Sequence, residues 1–325
     1  MSESKKLVRS SAGGITIGTA GLGAARGDKV GTVKQNVHDG DTVFVRALAN
    51  VSIRFLAIDS AELTYSLPGT NTFKNTDDPA WKAFLTDPFA NWPNATQKLG
   101  QPLLHYLEPK LGASTAENHF AHAKAAKEEL QRAVQKDVND YASGDIATYE
   151  LFLRFARDVL DRYGRLLAYI NVSLPKGTPR PPTYNERQLQ AGAALPYFIW
   201  PNVDPFKKQP DLLDAVPKPS DVAKLANTGA LSEARRWVAD ARAAGKGVFS
   251  ANAPQGKLLL EPWELRYLAR LGPPDRWVLD LTGNHAGALV PPTRYFEVQY
   301  PEDRLFVPRE YLDLFKARGW KATSL

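Results

Sequence analysis

The sequence predicts an α+β chain with a mainly β core: a small barrel with helices packed against it, a long insertion, and a small α/β extension at the C-terminus. Three patterns carry that prediction. Short alternating strands joined by tight turns follow one another between Val30 and Ile58, as in a meander that curls into a small barrel. Two further strand-like runs, Tyr149–Phe155 and Leu166–Val172, appear beyond a long helical stretch. Helical segments with glycine stops then follow. With 43% hydrophobic and 23% charged residues over 325 positions, the composition is that of an ordinary globular protein able to bury a core.

The chain opens with Lys5, Lys6 and Arg9 and a Gly/Ala-rich stretch from Ser11 to Ala25. That order of charge, apolar run and small residues resembles an export signal, but Gly13, Gly14, Gly18, Gly21 and Gly23 dilute the apolar run. Residues 1–27 are therefore expected to form a flexible tail on a cytoplasmic protein, with export by an atypical signal as the alternative. Val30 to Val45 alternates apolar and polar residues around the tight turn Asp39-Gly40-Asp41. Val51 to Ile58 continues as a third strand and ends at Asp59-Ser60-Ala61-Glu62. The pattern then dissolves through Pro68, Pro79, Pro88, Pro93, Pro102 and Pro109. Trp81, Phe84, Phe89 and Trp92 in that stretch indicate an ordered insertion, about residues 63–113, placed to act as a lid.

Thr115 to Lys136 reads as a helix, with Ser114 or Thr115 as its N-cap. After the two strands, Asn185–Ala193 reads as a short helix ended by Gly192, and Ser232–Ala244 as a helix stopped by Gly245 and Gly247. Residues 28–250 form one domain on this reading. Residues 251–325 are an extension packed on the barrel, with a helix at Glu261–Leu271, a strand at Trp277–Leu281 and a last helix at Pro308–Arg318.

The net charge is +6, from 41 Lys plus Arg against 35 Asp plus Glu. A basic balance favours polyanionic partners, because binding phosphates releases their condensed counterions. There is no cysteine, which excludes disulfides and thiolate metal sites. No apolar run approaches the ~18–20 residues that span a bilayer, so no membrane association is expected.

Three clusters carry candidate chemistry: Asp39-Gly40-Asp41-Thr42; Arg54 with Asp59-Ser60-Ala61-Glu62; and Asp161-Arg162-Tyr163-Gly164-Arg165. These residue types are those that metal-assisted phosphodiester hydrolysis demands. Hard oxygen ligands hold a hard cation, a further carboxylate handles the attacking water, and guanidinium forks clamp phosphate. Each piece alone also fits a structural role, since Asp-Gly-Asp is a common turn and an Arg on a strand is commonly solvated. Their order and spacing together select the chemical reading.

Asp39-Gly40-Asp41-Thr42-Val43, followed by Ile53-Arg54-Phe55-Leu56-Ala57-Ile58-Asp59-Ser60-Ala61-Glu62, resembles the first signature of the staphylococcal-nuclease (thermonuclease) family. Asp161 to Tyr169 resembles the second, Asn185-Glu186 through Gly192 the third, and Glu233 to Gly247 the terminal helix. The resemblance covers roughly residues 28–62 and 115–250. It implies a five-stranded OB-fold barrel and a Ca²⁺-dependent nuclease acting on DNA or RNA. Asp41 and Asp59, with the carbonyl of Ser60, would hold the cation, and Glu62 would take a proton from the attacking water or orient it. Arg54 would hold the scissile phosphate, with Arg165 reaching it from the opposite side. Asp39, Thr42 and Asp161 would support these groups. Phe198 and Trp200, beside Tyr197, stand where the family stacks aromatic rings on a nucleotide base.

Two departures from the family pattern stand out. Ala61 replaces the usual Pro before the catalytic Glu, which frees the backbone there and is expected to leave the Glu62 loop less preorganised. The insertion also begins one residue after Glu62. His119 and His122 lie one turn apart but lack a third ligand nearby, so surface or packing roles are expected, while His38 adjoins Asp39 and is placed to tune the site. The alternative reading of the whole is a catalytically silent nucleic-acid or protein-binding module on the same barrel.

Overall fold

The computed structural model describes residues 9–10, 16–23, 31–46, 50–90, 92–161, 165–203, 211–252 and 256–322. Arg162, Tyr163 and Gly164 of the third cluster lie outside the described residues.

β1 (Arg9–Ser10) and β2 (Thr16–Leu22) come first, then α1 (Val33–Asn36), β3 (Val37–Asp39), β4 (Thr42–Arg46), β5 (Asn50–Phe55) and β6 (Ala57–Asp59). The insertion carries β7 (Thr64–Ser66), β8 (Phe73–Asn75), α2 (Pro79–Thr86), α3 (Ala95–Leu99) and α4 (Gln101–Leu107). The long helix α5 (Thr115–Ala142) leads to β9 (Glu150–Phe155), β10 (Leu166–Val172), α6 (Tyr184–Gln190) and β11 (Leu195–Ile199). The chain ends with α7 (Leu212–Ala215), α8 (Val222–Ala226), α9 (Gly229–Ala243), α10 (Pro262–Ala269), β12 (Arg276–Asp280), β13 (Arg304–Pro308) and α11 (Leu312–Ala317). Among the described residues no helix is long and apolar enough to cross a membrane.

Strands β2, β9, β10, β5 and β4 pair in that order, and β4 pairs back onto β2, which closes a five-stranded barrel. β5 and β10 run parallel, with Leu166 beside Ile53 and Leu167 beside Arg54, while the other barrel neighbours are antiparallel. This is the OB-fold barrel, with α5 crossing between its third and fourth strands. The expected tail is corrected at one point: residues 16–22 form the barrel's first strand, paired to β9 from Thr16↔Phe155 to Gly21↔Glu150. Its glycines thin the apolar alternation that marks a half-buried strand. A second correction concerns residues 33–36, a single helical turn where alternation predicted strand. Thr32 caps that turn through a reciprocal capping box with Gln35.

The third strand breaks after Phe55. Ala57 takes φ +66°, an uncommon conformation for a residue with a Cβ. The break passes the chain from the barrel to a second sheet, ordered β12-β13-β11-β6. That sheet joins the end of the third strand to the C-terminal extension, with Leu195 opposite Asp59 and Phe198 beside Leu305. The extension is thus continuous with the barrel's own strands.

Two apolar cores result. The barrel interior (Val43, Ile53, Phe55, Leu153, Ile170 among others) is sealed by α5, α6 and α9. The second core joins Trp81, Leu85, Trp92 and Leu103 of the insertion to Trp263, Leu268, Tyr295 and Phe306 of the extension. The stretch that dissolved into prolines is therefore an ordered hairpin and three helices. Asp78 caps α2 by accepting from the Ala80 amide at 2.8 Å, with Pro79 at its first position.

Candidate functional site

The turn between β3 and β4 sets the site in motion. Asp41 leaves it buried at the mouth of the barrel, and its Oδ1 accepts from the Thr42 hydroxyl at 3.1 Å. Its Oδ2 accepts from the Ser60 amide at 3.2 Å, so the turn and the end of the third strand are tied together. Arg54 sits opposite Thr42 on β5 and turns its Nη2 to Asp41 Oδ2 at 3.2 Å. The same nitrogen donates to Asp59 Oδ1, which the strand break has returned over the barrel mouth. One guanidinium nitrogen thus gathers two carboxylates that stand 18 positions apart in sequence.

Helix α6 locks the backbone beneath them. Asn185 Nδ2 donates to the carbonyls of Leu56 at 2.8 Å and Ala168 at 3.2 Å, while its Oδ1 accepts from the Ile170 amide. Gln188 Nε2 donates to the Gly40 carbonyl at 2.6 Å and to that of Ala126 on α5 at 3.1 Å. The strand break and the Asp39–Asp41 turn are therefore both held from the same helix. Satisfying buried backbone groups in this way rigidifies a site.

Glu62 is fixed through its backbone. Its amide donates to His119 Nε2 at 2.9 Å and its carbonyl accepts from the Thr76 hydroxyl at 2.7 Å. His119 lies on α5 and Thr76 in the insertion, both fully buried. Ala61, where the family pattern has Pro, is itself buried, and α5 and the insertion each restrain the Glu62 backbone beside it. His119 and His122 are both buried, as a packing role requires; His119 in addition accepts from the Glu62 amide, and His122 contacts the Gly256 carbonyl at 2.9 Å.

The C-terminal extension supplies a residue that nothing in the sequence singled out. Arg266 on α10 forks onto Asp59, with Nη1 to Oδ1 at 2.9 Å and Nη2 to Oδ2 at 2.6 Å, and Nη1 also reaches Glu62 Oε1 at 2.7 Å. Its guanidinium lies 5.8 Å from the Tyr197 ring, within range of a cation–π contact. Arg165 immediately precedes β10 and is held by Asp161, through its amide at 2.9 Å and its Nε at 2.7 Å. Both Arg165 and Asp41 act electrostatically on His38. Burial, then Lys127, and also Arg165 hold its imidazole below the ordinary value against the pull of Asp41.

The carboxyls divide by environment. Burial, then the charges of Asp41 and Glu62, push Asp39 well above the usual carboxylate range. Burial works against Asp41 too, but Arg54, the Ser60 amide, Asp39 and Arg266 outweigh it and hold Asp41 low. For Glu62 burial wins over Arg266 and Arg54, and its pKa is raised. A raised carboxyl beside a depressed one is the arrangement that separates a proton-handling group from a charge-bearing one.

Asp41, Asp59 and the Ser60 carbonyl are oxygen donors of the kind a hard divalent cation takes. Among the described residues no three His, Asp or Glu side chains form a ligand group, so the set amounts to two carboxylates and a carbonyl, with water to supply the rest. The donor set fits such an ion. Both oxygens of Asp59 are engaged by arginine in this structure.

Phe198 and Trp200 are not surface rings. They are 1% and 4% exposed, and Trp200 packs edge-on against Tyr311 and Phe315 of the extension at 4.8 and 5.2 Å. The expectation that they stack on a base gives way to a core role, because the extension covers the surface they would use. The sequence matches no protein-family model and no curated protein.

Proposed function

We propose that the chain is a metal-dependent phosphodiesterase of the staphylococcal-nuclease type that hydrolyses DNA or RNA. The observation that carries this reading is the gathering of Asp41 and Asp59 by one nitrogen of Arg54, with Glu62 held beside them. Asp41, Asp59 and the Ser60 carbonyl would hold the cation, Ca²⁺ on this reading, which when bound supplies Lewis-acid polarisation and charge neutralisation. Arg54 holds a non-bridging phosphate oxygen through its planar fork and never deprotonates, because Asp41 and Asp59 raise its pKa further against burial. Glu62, with its raised pKa, is suited to accept a proton from the attacking water. Arg165, oriented by Asp161, approaches the phosphate from the β10 side. The positive net charge draws in the polyanion.

A second reading, a silent binding module, is favoured by one observation: Arg266 engages the proposed base and a proposed metal ligand together. Digestion of single-stranded DNA with and without Ca²⁺ separates the two, with Glu62→Gln and Arg54→Lys beside the wild type. Lysine keeps the charge on buried Asp41 and Asp59 but loses the fork. The nuclease reading expects Ca²⁺-dependent cutting that falls on the order of 10²–10³-fold in each variant. Strand binding without cutting under any divalent cation, in all three proteins, would transfer the site to the second reading.

A further inference from the structure

We propose that Arg266 is the resident counter-ion of this site: it forks onto Asp59, bridges it to Glu62, and competes with a divalent cation for Asp59. This rests on the reading of Asp41 and Asp59 as cation ligands. Three hydrogen bonds of 2.6–2.9 Å join its guanidinium to the two carboxylates, and both oxygens of Asp59 are used. A cation on Asp59 would meet Oδ1, which already accepts from Arg54 and Arg266, or would share Oδ2 with Arg266 Nη2. A guanidinium and a divalent ion on the same carboxylate also repel each other in a site where little water screens them.

The contact is built into the fold. Helix α10 carries Pro262 at its first turn and a reciprocal capping box between Glu261 and Glu264. Glu264 is fully buried and accepts from Lys110 Nζ of the insertion on both oxygens at 2.9 Å. Glu261 accepts from Arg304 of β13 at 2.7 Å. Trp263 packs over Tyr295 at 4.3 Å and over Tyr197 at 6.3 Å. The insertion and the extension together therefore aim this helix at the carboxylates.

The test is calorimetric titration of the full-length chain with Ca²⁺, in wild type, Arg266→Gln and Arg266→Lys, with melting temperature recorded at each Ca²⁺ concentration. The glutamine variant should bind Ca²⁺ at least tenfold more tightly than the wild type and show the larger Ca²⁺-induced rise in melting temperature. Lysine keeps the charge but cannot fork onto Asp59, so its affinity should fall between the two, and it serves if the glutamine variant does not fold. Equal affinities in all forms, tighter binding by the wild type, or no binding by any form would overturn the proposal. DNA cleavage measured in the same samples keeps the two readings apart. Ca²⁺-dependent cutting with equal affinities leaves the nuclease and removes the counter-ion. A tenfold affinity difference without cutting leaves the counter-ion and removes the nuclease.

Discussion

His119 shows how one buried side chain ties the insertion to the chemistry. Its Nε2 accepts from the Glu62 amide, which requires a neutral ring with its proton on Nδ1. Burial first, then His122 and Arg266, push its pKa down from 6.5 to about 3. The unfolded chain therefore binds one more proton than the folded chain between those values. The stability this residue confers is complete above pH 6.5 and is lost as the pH falls towards 3. Asp39 and Glu62 titrate with the opposite sign, since their folded pKa values are raised, so the wild type alone does not isolate the effect. His119→Gln keeps an acceptor for the Glu62 amide and removes the titration. Urea unfolding from pH 7 to 4 should show the wild type losing stability relative to this variant by up to about 1.4 kcal/mol per pH unit. Parallel curves would mean that the ring protonates freely in the fold. Sequence alone placed His119 and His122 on one helical face, but the partner of His119 is 57 positions away and no local pattern reports it.

At the scale of elements, the Asp39–Asp41 turn and α5 meet at Gly40. A Cβ there would lie 2.6 Å from Ala126 Cβ and 2.8 Å from Ser60 Cβ, closer than packed carbons tolerate. The requirement is one of space, because the turn packs directly against Ala126 of the helix and against Ser60 at the end of β6. Gly40→Ala should destabilise by about 1–3 kcal/mol as the turn and helix move apart. Ala126→Gly in the same chain should recover only part of that, since the Ser60 contact remains. Denaturant midpoints of the two single variants and the double variant test this, and strict additivity would deny the contact. The elements nearest the site were also the most legible. β10 spans Leu166–Val172 as its β-branched and aromatic run predicts, and the turn at Gly40 sits where the Asp-Gly-Asp signal put it. β2 was hidden, because Gly18 and Gly21 leave little apolar alternation to read. The strand break at Ala57 was hidden as well, since Asn185 holds the Leu56 carbonyl from a distant helix.

At the scale of the whole molecule, the insertion and the extension are one structural unit although more than a hundred residues separate them. Periodicity shows that Trp81 and Trp92, or Trp263 and Trp277, belong on buried faces, but it does not say which face meets which. That is why residues 251–325 read as an extension packed on the barrel, while their share in the insertion's core, and Arg266 with it, stayed out of sight. The consequence is testable by truncation after residue 250. Removing the extension deletes β12, β13 and α10, bares Trp81, Leu85 and Leu103, and takes Arg304 and Glu264 from the network around Lys110. It also opens an edge of β11, whose Phe198 and Ile199 pair with Leu305 and Phe306. Baring several large apolar side chains costs roughly 1.5–3 kcal/mol each, against a total stability of about 5–15 kcal/mol for a domain. Chain 1–250 should therefore lose cooperative unfolding and near-ultraviolet circular dichroism, and trypsin should cut first within residues 63–113. A truncated chain that melts sharply within a few degrees of the full-length protein would make the extension a dispensable satellite. The insertion would then have to be stabilised by α5 alone, through contacts such as that of Lys82 with Glu117 at 2.9 Å.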